Sequence, residues 1–146
     1  MRPVLIAPLA LLALPACDTN TIDFAIAPNP VAFGQVDFAV EMPTDGYAPI
    51  ATSLTNNGTK TVTLTLEDWD SDYLCVQGYS HDNLPGVMAP VDPGAAYVLN
   101  IAVCGYLPGE RGTEVDTNVT IGTDSTPSTF PIPVTFTPLM SGGDTG

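Results

Sequence analysis

The chain has 146 residues, with 16 acidic side chains against three basic ones, one His, three Cys, 13 Gly and 15 Pro, and a net charge of −13. That length holds one core of ordinary size and one domain. Phosphate binding needs clustered Lys and Arg, and Arg2, Lys60 and Arg111 are the whole supply, so nucleic acid is excluded as a partner. An anionic membrane surface also repels such a chain, and the many Gly and Pro break up long helices, which rules out an all-α fold.

Residues 1–16 read as a signal peptide. Met1-Arg2 is a minimal positive start, and the apolar run from Val4 to Leu14 is too short to span a hydrocarbon core of roughly 30 Å. Its end, Leu14-Pro15-Ala16-Cys17, resembles the lipobox of bacterial lipoproteins, with Pro15 where a small or hydroxylated residue is more common. The resemblance implies cleavage before Cys17, diacylation of its thiol and acylation of the new amino group. The expected address is the cell envelope, with the outer membrane favoured over the inner. Cleavage removes Arg2 and leaves Lys60 and Arg111 against 16 acidic residues.

Residues 17–21 form a short lipid-anchored linker. At about 3.4 Å per residue, the four residues after Cys17 hold the domain within roughly 14 Å of the lipid. Strand-like segments follow at Ile22 to Ala27, Phe33 to Val40 and Ile50 to Leu54. Thr61 to Leu66 alternates threonine with Val62, Leu64 and Leu66, the pattern of a half-buried strand. Tyr73 to Gln77 is a weaker strand, and Tyr97 to Val103 alternates again. So do Val115 to Ile121 and Phe130 to Phe136; Pro131 and Pro133 lack ladder donors, which predicts an edge position or a bulge for that last strand. Asn57-Gly58 between two alternating runs predicts a hairpin.

Seven to eight short strands over residues 22–138 fit an all-β, immunoglobulin-like β-sandwich. Residues 139–146 lack periodicity and are expected to be a disordered tail.

Phe33-Gly34-Gln35-Val36 resembles the opening motif of the ASH/Hydin-like domains, which overlap with the bacterial choice-of-anchor D domains. Leu54-Thr55-Asn56-Asn57-Gly58 is similar to their "L-T-N-x-G" turn, and Asp92-Pro93-Gly94 and Val119 to Asp124 follow in the family's order. Val103-Cys104-Gly105-Tyr106 departs from the usual aromatic-x-Pro close of the long central strand. The resemblance implies a non-catalytic structural or protein-binding module, here with an envelope protein as partner and no cofactor.

Candidate chemistry is sparse. With Cys17 acylated, Cys75 and Cys104 remain as a pair, expected to be a disulfide in an exported domain; a redox or nucleophilic pair served by His81 is the alternative. Ser80-His81-Asp82 cannot act as a triad, because its members must approach from separate elements. Asp68, Asp70 and Asp72 begin like a calcium loop but lack its Gly and Glu, leaving a looser Ca²⁺ or glycan site as an alternative reading beside a solvated acidic loop. Trp69, Tyr73, Tyr79 and Tyr106 form either a contact patch or the caps of a sandwich end. No side chains qualify as catalytic, and the residues that bind the partner are unknown from sequence.

Overall fold

The structure is a computed structural model, and it describes residues 22–44, 46–77 and 86–139, the side chain of Val87 excepted. The expected signal peptide, Cys17, the expected linker, Tyr79 to Asp82 and the expected tail beyond Leu139 lie outside the described residues.

The described residues form nine strands: β1 (Phe24–Ala27), β2 (Val31–Asp37), β3 (Tyr47–Asn56), β4 (Val62–Trp69), β5 (Leu74–Val76), β6 (Gly86–Val91), β7 (Ala96–Val103), β8 (Val115–Thr123) and β9 (Thr129–Leu139). They make two sheets, β1-β3-β7-β5 and β2-β9-β8-β4-β6. The inward faces of both supply one core, centred on Leu54, Leu64, Leu66, Leu99, Ile101, Val119, Ile121, Ile132, Val134 and Phe136. Each sheet buries one face, so the alternation of Val62, Leu64 and Leu66 with Thr63 and Thr65 becomes inside and outside. The expected all-β, immunoglobulin-like sandwich is the fold observed.

Three details differ from the sequence expectation. The first is β6, a ninth strand: Gly86-Val87-Met88-Ala89-Pro90-Val91 does not alternate, and its pairing with β4 is interrupted by a shift between Leu64 and Thr65. Asn57-Gly58 is not a hairpin, because β3 and β4 lie in different sheets and the segment between them crosses the sandwich. Leu54 and Asn56 on β3 and Val62 and Leu64 on β4 face the one interior from opposite sheets. The third is β9, which stands between β2 and β8 and is not an edge strand. Its prolines fit because β2 begins pairing only at Val134, so Pro131 and Pro133 have no strand on that flank and owe no ladder bond to it.

Bulges set which residues face the core. In β2 an extra residue separates the pairs Ala32–Thr135 and Gln35–Thr137, and Gly34 takes φ +65° there. The shift turns Val36 inward where an unbroken strand would have presented Gln35. The same device in β4, between Leu66 and Asp68 on the β8 side, carries Trp69 into the core.

Among the described residues, one buried polar side chain has no hydrogen-bond partner. Thr52 on β3 is fully buried, and its hydroxyl has no hydrogen bond. Replacing the hydroxyl by a methyl removes a desolvated, unsatisfied group at little change in volume. Thr52→Val is therefore expected to raise stability by about 1 kcal/mol, a gain of roughly 4 °C in Tm. A lower Tm would show that the hydroxyl has a partner.

Candidate functional site

Strand direction divides the molecule into two poles. At one, β1 begins and β3, β6 and β8 end; Ile22 N donates to Thr126 O at 2.9 Å and fixes where the chain joins the sandwich. Beside it, Ile22, Phe24, Ile26, Pro127, Phe130 and Pro131 line a groove of about 180 Å³. Phe24 and Phe130 stack across it, with ring centroids 5.8 Å apart.

Asn56 organises the same pole. It is fully buried, yet its amide donates to Lys60 O at 2.8 Å and Val91 O at 2.9 Å, and its Oδ1 accepts from Gly58 N at 2.9 Å. This is the Asn of the "L-T-N-x-G" segment, and its work is to satisfy the turn that crosses between the sheets.

Asp124, also here, accepts from Thr63 N at 3.0 Å. That bond holds its carboxyl below the ordinary value of 3.8. A depressed folded-state pKa means stabilisation that is present above the ordinary value and lost as pH falls through the folded one. Asp124→Asn keeps the acceptor but loses the charge. The Tm advantage of the native protein over this variant is expected to be full at neutral pH and to vanish in acid; an advantage constant across pH would contradict this role for Asp124.

The opposite pole collects the C-terminal ends of β2, β4, β7 and β9 and the start of β3, β5 and β8. Cys75 and Cys104 are bonded, with Cα atoms 5.7 Å apart. The bond ties three-residue β5 to the end of β7, so it acts within one sheet. Gly46, at φ +84°, is packed against it, and a Cβ there would come within 2.7 Å of Cys104 Sγ.

Asp68, Asp70 and Asp72 form no metal-holding group, and none exists among the described residues. Asp68 is still in β4, while Asp70 and Asp72 belong to the turn into β5. There the Asp70 carboxylate accepts from Asp72 N at 3.1 Å, and its carbonyl accepts from Leu74 N at 2.8 Å. The aromatic residues cap this end more than they decorate it: Trp69 is core, Tyr73 packs edge-on against Phe136, and Tyr106 packs on Phe38 at 4.5 Å. Tyr79 and His81 lie outside the described residues.

Two loops at this pole are braced by side-chain hydrogen bonds. In the β7–β8 loop, Glu110 accepts from Tyr73 OH at 2.7 Å through Oε1 and from Leu107 N at 3.0 Å through Oε2. The bond to Glu110, with burial and the charges of Glu110, Asp70 and Asp72, pushes the Tyr73 phenol up to about 12. In the β2–β3 loop, Tyr47 OH donates to Val40 O at 2.6 Å. Between them, Phe38 packs edge-on against Tyr47 and at a tilt against Tyr106. The loops present Val40 (61% exposed), Met42 (48%) and Leu107 (46%) to solvent. Nothing in the composition marked these three residues; only their place at the tips of pinned loops does.

The described residues form a two-sheet, immunoglobulin-like β-sandwich. Two solved structures at a TM-score of 0.50 agree on the fold. An MSP-domain-like protein of Caenorhabditis elegans, SSP-19, superposes with a TM-score of 0.50 at 12% identity, over 77% of this chain and 97% of its own. The periplasmic chaperone SfaE gives 0.50 at 15% identity, over 83% of this chain and 60% of the chaperone. The ASH/PapD-like domain 7 of human CEP192 gives 0.48 at 12% identity, over 94% of this chain and 99% of that domain. No protein family and no curated sequence matches the chain.

Proposed function

We propose that this chain is a lipid-anchored protein of the bacterial cell envelope, whose immunoglobulin-like domain, of ASH and choice-of-anchor D type, is a non-catalytic accessory module that binds another envelope protein. The observation that carries the reading is Leu14-Pro15-Ala16-Cys17 standing five residues before the start of the described sandwich at Ile22. Two or three acyl chains, at about 0.8 kcal/mol per buried CH₂, make such an anchor effectively permanent. Membrane repulsion of the acidic domain is small beside that. A disulfide within the domain suits an oxidising compartment. The likeness to MSP-type and periplasmic chaperone folds supports a module that works by surface contact.

Cys17→Ser is the test. The native protein is expected to partition with membranes and to show the mass of an acylated Cys17 after detergent extraction. The variant is expected to lose both, and a variant that stays in the membrane fraction would refute the anchor. A pull-down from envelope extract that finds nothing above a charge-matched control would count against the binding role.

A further inference from the structure

We infer that the pole opposite the N-terminus is a docking surface for a basic protein partner, which rests its apolar centre on Val40, Met42 and Leu107. This deepens the protein-binding reading and rests on it, but it does not depend on the lipid anchor.

Three observations meet here. Among the described residues only four large hydrophobic side chains are exposed, and three of them, Val40, Met42 and Leu107, are at this pole; Val98 on β7 is the fourth. They belong to two loops joined by the Phe38–Tyr106 contact. The loops are braced by Tyr47 OH on Val40 O and by the double acceptance of Glu110, so the backbone at Val40 and Leu107 is held before any partner arrives. Preorganised apolar tips lose little conformational entropy on binding, which is the usual form of an interface centre.

Charge decides the occupant. Asp37, Glu41, Asp70, Asp72, Glu110 and Glu114 lie in or beside these loops, and Arg111 is the one basic side chain there among the described residues. Lys60, the other described basic residue, is at the far pole in the β3–β4 connection. A second copy would bring the same acidic rim and be repelled. Nucleic acid and anionic lipid are repelled in the same way. A protein face with an apolar centre ringed by Lys and Arg is attracted, and its approach is steered by the field. The described chain enters the sandwich at Ile22, at the other pole, so this surface lies at the end of the domain remote from that entry.

The test uses the mature chain, residues 17–146, with Cys17→Ser so that no lipid contributes. Two probes are titrated against it by nuclear magnetic resonance: an amphipathic Leu/Lys helical peptide, and oligolysine of equal charge. The amphipathic peptide is expected to bind roughly tenfold tighter than oligolysine, with shifts confined to the loops 37–44 and 104–114. Val40→Ser with Leu107→Ser is expected to abolish that preference without changing Tm. Glu41→Gln with Glu114→Gln is expected to weaken both probes and flatten their salt dependence. Equal affinity for the two probes, or shifts spread over the sheets, would overturn the inference.

A photo-crosslinker placed in cells at Leu107 or at Gln35 on the β2 edge separates the two readings. An adduct at Leu107 that proves to be a protein with a basic surface supports the pole. An adduct only at Gln35 overturns the pole and leaves the binding role standing. Adducts at neither position overturn both.

Discussion

Replacing Asn56 by Ala is expected to cost on the order of 3–4 kcal/mol, a fall of roughly 12–16 °C in Tm for a domain of this size. The side chain makes three hydrogen bonds from a fully buried position, to Lys60 O, Val91 O and Gly58 N. Each is worth about 1 kcal/mol net, and a buried carbonyl left bare adds its own desolvation. Two further bonds, Asn56 N to Ala95 O and Gly94 N to Asn56 O, join the β6–β7 connection to the same residue. Asn56→Asp separates the hydrogen bonds from the shape of the side chain. Its carboxylate has no proton to give and would face the carbonyls of Lys60 and Val91, so at neutral pH it should be worse than Ala. Burial and those carbonyls raise its folded-state pKa, which makes its stability greater below the ordinary carboxylate range and lost as pH rises. Urea denaturation of both variants across pH is the measurement. A cost below 1 kcal/mol for Asn56→Ala would remove the residue from this role.

Reducing the disulfide, or replacing both cysteines by Ser, is expected to cost roughly 3.5 kcal/mol. A sequence separation of 29 sets this figure through the chain entropy returned to the unfolded state. The loss should be felt first at the acidic pole. β5 has only three paired residues, and Cys104 N and Gly105 N both donate to Tyr73 O just before that strand. Hydrogen exchange in reductant should therefore rise around Tyr73 to Val76 and residues 104–110 before it rises at Val119 or Ile132 in the core. Tm in reductant is expected to fall by roughly 12–15 °C. Uniform acceleration of exchange would mean that the bond acts on global stability alone.

Much of the sandwich could be read from period two. Thr61 to Leu66 and Val115 to Ile121 alternate without interruption, and they became β4 and β8. What alternation could not show is a change of phase. Gly34 and the Glu67–Asp68 step each insert a residue, and each turns inward a side chain, Val36 or Trp69, that an unbroken strand would leave outside. The Asn57-Gly58 segment misled because the residues that suit a hairpin also suit a crossing between sheets. The clue was the residue before it: Asn56 falls in phase with Leu54, so a polar side chain was bound for the core and needed partners. β6 was missed because Met88 is the extra residue at its bulge and Pro90 breaks its ladder. Of the candidate sites, Cys75 and Cys104 were legible from parity. At 68, 70 and 72 the spacing left a looser site and a solvated acidic loop both open, and it did not show that Asp70 closes the turn into β5. Val40, Met42 and Leu107 were invisible because nothing local separates an exposed apolar residue from a buried one.

The direction of β1 has a mechanical consequence. β1 starts at the pole where the chain joins the sandwich and runs inward, antiparallel to β3, pairing Phe24 with Asn56 and Ala27 with Ser53. A pull on the N-terminus against a partner held at the far pole therefore lies along the strands and tries to slide β1 past β3. All four pairs resist together, whereas the same strand peeled sideways would lose them one at a time. A domain loaded along that axis would yield at a higher force than its equilibrium stability alone would indicate.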